Sequence, residues 1–227
     1  MSPCASWAWS AWGKHPVVKD YVRFGHETPA ALFLSRWVEE GYARVSPNAL
    51  LRSWRFFARG ARPGELVGGL LRDSFDGAGR PFPFLLVGAG RLEGWEKRWV
   101  YLPEILGGIW ERLEFLSTKR AFDLEELKAD VGRLPSPVLP GQWRPADVPV
   151  GDGSTFEGRE GMFSTGLKGA GDHCGEIVRL LKTLEARPTG VPDAVFMGGL
   201  LERSFLVAFS RSLNDSDFLR LWTMGDR

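Results

Sequence analysis

Residues 72–84 decide the fold of this 227-residue chain, and they read Arg72-Asp73-Ser74-Phe75-Asp76-Gly77-Ala78-Gly79-Arg80-Pro81-Phe82-Pro83-Phe84. Short apolar runs at 65–71 and 82–87 flank the turn, and each is bounded by Gly or Pro, as is typical of buried strands. Gly77 and Gly79 tolerate the positive φ that a tight hairpin often needs. We therefore predict a β-hairpin near the sheet centre, with polar side chains clustered at its tip.

Two interpretations of the tip stay open at this stage. Asp76 and Arg80 stand four residues apart across the turn, so a tight hairpin brings them close together. An exposed pair would stabilise the fold little and would leave Arg80 able to make a bidentate contact to a carboxylate or phosphate on a partner. A buried pair would form a structural network, since losing Arg80 would strand a carboxylate. The surrounding glycines and prolines hold a rigid turn and favour the structural interpretation.

The composition is that of an ordinary globular protein, with 44% hydrophobic and 25% charged residues and a net charge of +1. We expect one domain over residues 1–227, and the small net charge argues against a nucleic-acid surface. Cys4 and Cys174 suggest neither a disulfide framework nor a metal motif, which favours a reducing compartment. The sequence shows no signal-peptide pattern and no membrane-spanning apolar run, so we expect a cytoplasmic protein without membrane insertion.

Hydrophobic periodicity and capping residues predict alternating strands and helices. Thr28 and Pro29 indicate one helix start, Asp123 with Glu126 another, and Pro103 an interruption of a helical region over 92–117. Strands are predicted at 5–12, 53–57, 161–165, 193–197 and 204–209, a Pro/Gly-rich loop near 134–161, and helices after residues 172 and 214. This alternation favours an α/β fold, with a mixed sheet covered by helices on both faces.

Residues that could carry chemistry form no recognisable catalytic or metal-binding pattern. Cys174 follows His173 directly, but sequence neighbours rarely face each other as a nucleophile and its base. Ser74 lacks the Gly-x-Ser-x-Gly elbow of a hydrolase, and the glycines at 151–161 lack the Lys-Ser/Thr of a phosphate loop. We therefore expect no enzyme activity, no cofactor and no metal. Two core positions are also expected, Trp54 and Phe82, because each lies in an apolar run beside turn residues.

Three motifs resemble those of the TagF/ImpM family of type VI secretion-associated proteins. Residues 13–16 and 20–23 (Gly-Lys-His-Pro and Asp-Tyr-Val-Arg) are similar to the family's opening motif, and residues 53–56 (Ser-Trp-Arg-Phe) to its Trp-Arg-Phe segment. Residues 73–83 resemble its hairpin, although Asp73 stands where the family usually has Pro. The resemblance covers about residues 5–135, and residues 195–200 are similar to a strand and turn near the family's C-terminus.

The resemblance implies a three-layer α/β/α sandwich and a cytoplasmic, non-enzymatic repressor of type VI secretion. It also implies binding to a forkhead-associated scaffold protein, in connection with a threonine-phosphorylation branch. The family-motif positions that would form the binding site are Lys14, Asp20, Arg23, Ser74, Asp76 and Arg80. The alternatives are a structural or assembly component of the secretion machine, or a hydrolase that uses His173, Cys174 or Ser74.

Overall fold

A nine-stranded sheet organises the computed structural model, which describes residues 7–45, 51–119, 123–139, 156–167, 174–188 and 190–226. The strands lie in the order β2-β1-β5-β4-β3-β8-β9-β7-β6. Their bounds are β1 Ala8–Lys14, β2 Tyr21–Gly25, β3 Arg52–Arg59, β4 Glu65–Arg72, β5 Phe84–Arg91, β6 Glu157–Arg159, β7 Met162–Gly166, β8 Ala194–Leu200 and β9 Ser204–Phe209. The helices are α1 Pro29–Tyr42, α2 Leu102–Thr118, α3 Leu124–Gly132, α4 Cys174–Glu185 and α5 Asp215–Trp222.

Every ladder between the described strands is antiparallel, so the prediction of a mixed sheet is wrong. Parallel neighbours need a long crossover that returns to the adjacent position in the sheet. Here the helical connections instead join strands that are not neighbours, while pairs such as β4 with β5 and β8 with β9 follow one another in the chain. The α/β fold class is as predicted, but the antiparallel direction of all the described strands is not.

The predicted hairpin is β4 and β5, which pair from Glu65 opposite Arg91 to Arg72 opposite Phe84. It is confirmed as an element but not as a tight turn, because residues 73–83 lie between the two strands. Within this tip Gly79 has a φ of 78°, whereas Gly77 does not adopt positive φ. The tip is therefore a loop with its own internal contacts.

Alternate residues along the strands enter two different hydrophobic clusters, as the period of two along a strand requires. In β5, Phe84 and Leu86 join a cluster shared with α2, α3 and α4. Their neighbours Leu85 and Val87 join a second cluster shared with α1 and α5. Trp54 is fully buried in this second cluster, together with Phe82, so both predicted core positions are confirmed.

The helix signals were mostly accurate. The Thr28 hydroxyl accepts a hydrogen bond from the Ala31 N–H, and Asp123 caps α3 in the same way. The helical region predicted over 92–117 is divided near Pro103, as expected, because short 3₁₀ turns at Trp95–Lys97 and Trp99–Tyr101 precede α2. Pro103 occupies the first turn of α2, where proline costs no hydrogen bond. In α1, Leu34 takes a core position, whereas its neighbour Phe33 is half exposed.

Some predictions fall on residues outside the described part of the chain. They include Cys4, His173 and most of the Pro/Gly-rich stretch near 134–161. The end of that stretch is described, and it contains β6 where a loop was predicted. None of the helices in the described part of the chain combines the length and apolar character that crossing a bilayer requires.

Candidate functional site

The carboxylate of Asp76 lies at the centre of the hairpin tip and is completely buried. Its Oδ2 accepts hydrogen bonds from Arg80 Nε at 2.7 Å and lies 3.3 Å from Lys14 Nζ. Its Oδ1 accepts from the backbone N–H groups of Ala78 and Arg80, each at 3.0 Å. Burial would raise the pKa of Asp76, but these donors outweigh it and lower that pKa to about 2. Asp76 therefore remains ionised and holds the loop closed.

The segment between β1 and β2 packs directly onto this tip. The Gly77 N–H donates to the Val18 carbonyl at 2.5 Å, and an Arg80 guanidinium N–H donates to the Lys19 carbonyl. A side chain at position 77 would approach the Val18 carbonyl to 3.1 Å, so glycine permits this close contact. Two segments that lie far apart in sequence thus form one surface, which we call the tip surface (residues 14–21 and 73–82).

Four aromatic rings pack together at the tip surface. The Phe82 ring contacts Tyr21, Tyr42 and Trp12 at centroid distances of 4.9, 5.1 and 5.1 Å, all edge to face. Lys14 Nζ lies 5.2 Å from the centroid of Tyr21, within the range of a cation–π contact. These contacts join β1, β2, α1 and the tip, so the position of the loop is determined by core packing.

The outer side of the tip surface is exposed. The Arg80 side chain is 58% exposed although it contacts Asp76, and Tyr21 is half exposed. Phe75 is also exposed, at the position where its backbone forms an isolated bridge with Pro81. Neither the exposed nor the buried interpretation of the Asp76–Arg80 pair is sufficient alone. The Asp76 carboxylate is buried in a structural network, while the Arg80 side chain reaches solvent.

The six predicted site residues are only partly brought together. Lys14, Asp76 and Arg80 meet in the network described above. The backbone next to Asp20 contacts Arg80 through the Lys19 carbonyl, but the Asp20 carboxylate accepts from the Tyr21 N–H at 2.8 Å. The other two residues lie outside the network: Arg23 pairs with Glu27 on the surface, and Ser74 accepts from the Phe82 N–H through its carbonyl.

His15 belongs to the same motif as Lys14, residues 13–16, and has a structural role. It is buried, its Nε2–H donates to the Leu116 carbonyl at the end of α2, and its Nδ1 accepts from the Val17 N–H, each at 3.3 Å. These partners select the neutral tautomer. Burial lowers the pKa of His15, and the nearby Arg72 lowers it further. His15 therefore anchors the start of the 15–20 segment to α2.

Of the groups considered for catalysis, His173 lies outside the described residues, and Ser74 and Cys174 belong to different elements. Cys174 is partly buried and is the first residue of α4. Ser74 lies in the hairpin tip, between β4 and β5. No group of three His, Cys, Asp or Glu side chains among the described residues could hold a metal ion.

Sequence reasoning missed the aromatic support of the tip and the docking of the 15–20 segment. The only signal was the density of aromatic residues in separate motifs, such as Trp12, Tyr21 and Tyr42. Their convergence on Phe82 depends on β1 pairing with β5, a contact between distant parts of the chain. A pattern local to any one of these motifs does not contain that information.

No family model matches the chain, and no curated protein matches it. Among solved structures, the chain is similar to that of PA0076 from Pseudomonas aeruginosa PAO1, with a TM-score of 0.58. The similarity covers 94% of this chain and 93% of that one, at 16% sequence identity. At this identity the likeness shows the fold alone, so the chain shares its overall fold with PA0076 over nearly the whole length of both.

Proposed function

We propose that this protein is a non-enzymatic, cytoplasmic repressor of the bacterial type VI secretion system. It acts after translation by binding a forkhead-associated scaffold protein, and its tip surface is the binding site. The proposal includes the three-layer α/β/α arrangement that the family resemblance implies. Its starting point is the resemblance of three sequence motifs to the TagF/ImpM family.

One observation of the structure supports the choice of the tip surface. Residues of two motifs separated by about sixty positions, Lys14 on one side and Asp76 with Arg80 on the other, meet around one buried carboxylate. A network of this kind keeps a loop rigid, and a rigid loop loses little entropy when it binds. Arg80 and Tyr21 lie exposed on this rigid support, and both residue types are favoured at interfaces.

The test of the function is secretion by the native bacterium. Deleting the protein should raise type VI effector export, and overproducing it should lower export. Unchanged export in both strains would contradict the repressor proposal. Recovery of the protein in constant proportion with purified secretion machines would instead favour the structural alternative.

The test of the surface compares Arg80→Ala with Arg91→Ala. Arg91 is a matched control, because its side chain is 57% exposed, pairs with Glu93, and lies at the opposite end of β5. Both variants should be checked by thermal unfolding before capture of the purified scaffold protein is measured. We expect Arg80→Ala to lose capture and Arg91→Ala to retain it. If a folded Arg80→Ala captured and repressed normally, the binding site would not be the tip surface.

A further inference from the structure

A groove of about 830 Å³ lies between α2, α4 and the ends of β3 and β8. Its volume falls within the range of about 300–1,000 Å³ that is typical of small-molecule sites. Apolar side chains form much of its lining: Pro103, Trp110, Leu167, Ile177, Met197 and Leu200. The groove would therefore accommodate the apolar part of a small ligand.

Two adjacent glycines keep the α2 wall of this groove open. A side chain added at Gly107 or Gly108 would meet no atom within 4 Å. Gly is unfavourable in a helix interior relative to Ala, and neither position is required by close packing. The two residues thus leave free space beside the helix backbone, facing a groove that also contains charged groups.

Three arginines line the groove, and they differ in how their charges are balanced. Arg55 makes two parallel hydrogen bonds to Glu114, at 2.7 and 2.9 Å. Arg52 forms ion pairs with Asp73 and with Asp226. Arg72 donates from Nη1 to the Ser117 hydroxyl at 3.1 Å, and no carboxylate of the described residues forms an ion pair with it.

Arg72 is the group in the groove that would gain most from an anionic ligand. Burial lowers the pKa of its guanidinium, and the attraction of Glu114 and Asp73 opposes that shift. Because Ser117 occupies only Nη1, the remaining N–H groups of the planar fork can bind a carboxylate through two hydrogen bonds.

The acidic residues of the groove restrict the charge of the ligand. Glu104, Glu111 and Glu114 lie in the same lining and equal the three arginines in number. A polyanion such as a nucleotide would meet these carboxylates, and like charges in a partly desolvated site repel strongly. A single negative charge placed at Arg72 avoids that repulsion.

We propose that the groove binds an amphipathic monocarboxylate, with its carboxylate on Arg72 and its apolar body against Trp110, Ile177 and Met197. None of the lining residues belongs to the tip surface, although Arg72 directly precedes it and Arg52 pairs with Asp73. The ligand of the groove would therefore be a small molecule distinct from the partner protein.

Isothermal titration of the purified full chain tests the proposal with decanoate, and with decanol as the neutral probe of the same chain length. We expect one decanoate per protein and decanol binding at least about tenfold weaker, because it lacks the charge-assisted contact. Arg72→Gln should weaken decanoate binding by a similar factor. Inorganic phosphate, which has no apolar body, and ATP, a polyanion that the acidic lining repels, should not compete.

Gly108→Leu provides a second variant that should fold, because leucine favours the helix and the added side chain enters open space. It should abolish decanoate binding by filling the groove. Gly132→Leu is the matched control, since position 132 in α3 is equally open but does not line the groove. Equal binding of decanoate and decanol, unchanged affinity in both groove variants, or no binding of decanoate to the wild type would overturn the proposal.

Discussion

Replacing Asp73 with Asn removes a carboxylate whose burial is only partly compensated. The side chain is 17% exposed, its Oδ2 accepts from the Arg52 N–H at 3.0 Å, and it lies 4.0 Å from the Arg52 guanidinium. Burial raises the pKa of Asp73 from 3.8 to about 6, since these contacts offset only part of the loss of hydration. The folded protein therefore binds this proton more tightly than the unfolded chain does.

Because the pKa of Asp73 is higher in the folded protein than in the unfolded chain, its protonation stabilises the fold. The stability contributed by protonated Asp73 is fully present below pH 3.8 and is lost as the pH rises through about 6. A shift of about two units corresponds to about 3 kcal/mol in the free energy of unfolding. In a domain of this size such a change moves the melting temperature by about 6–12 °C.

Urea unfolding of the wild type and Asp73→Asn between pH 3.5 and 8 measures this effect. The free-energy difference between the two proteins should change by about 3 kcal/mol across the range, in favour of Asn at high pH. Taking the difference cancels the other titrating groups. Asp215→Asn is the control, because that side chain is 57% exposed. A difference that stays constant with pH would show that Asp73 ionises as easily in the folded state as in the unfolded chain.

Four further variants test packing, acid stability and helix propensity. Trp54→Ala should cost about 3–5 kcal/mol in urea unfolding, because the side chain is completely buried, and an unchanged midpoint would contradict this. His15→Gln should reduce the loss of stability that the wild type shows as the pH falls below 6.5, because the lowered pKa of His15 favours the neutral folded form. Gly41→Ala should lower the melting temperature, because the added carbon would lie 2.3 Å from the Phe218 ring. Gly107→Ala should raise the free energy of unfolding by about 0.5–1 kcal/mol, because the added carbon would enter open space in α2.

Features that depend on neighbouring residues were predicted well. The Thr28 cap with Pro29, the Asp123 cap and the helix start after Asn214 all lie where the sequence pattern places them. The two strands of the central hairpin were also predicted, since short apolar runs between Gly and Pro residues indicate buried strands. In each case the stabilising contact joins residues within a few positions of each other.

The candidate site shows where local patterns stop being sufficient. The proximity of Asp76 and Arg80 was predicted from their spacing, but the burial of Asp76 depends on the 15–20 segment that covers it. The groove was not predicted at all, because its lining comes from β3, β8, α2 and α4. Arg72 belongs to the hairpin stretch, yet none of its neighbours in sequence indicates that it would line a groove.

The sequence by itself determined the helix starts, the hairpin strands, the core positions Trp54 and Phe82, and the motifs of the tip. Only the tertiary structure decided that the sheet is antiparallel, that Lys14 reaches Asp76, and that Arg72 lines a groove. The physical reason is the range of the interactions. Caps, turns and alternation act over a few residues, whereas strand order and the burial of a charge depend on which distant segments pack together.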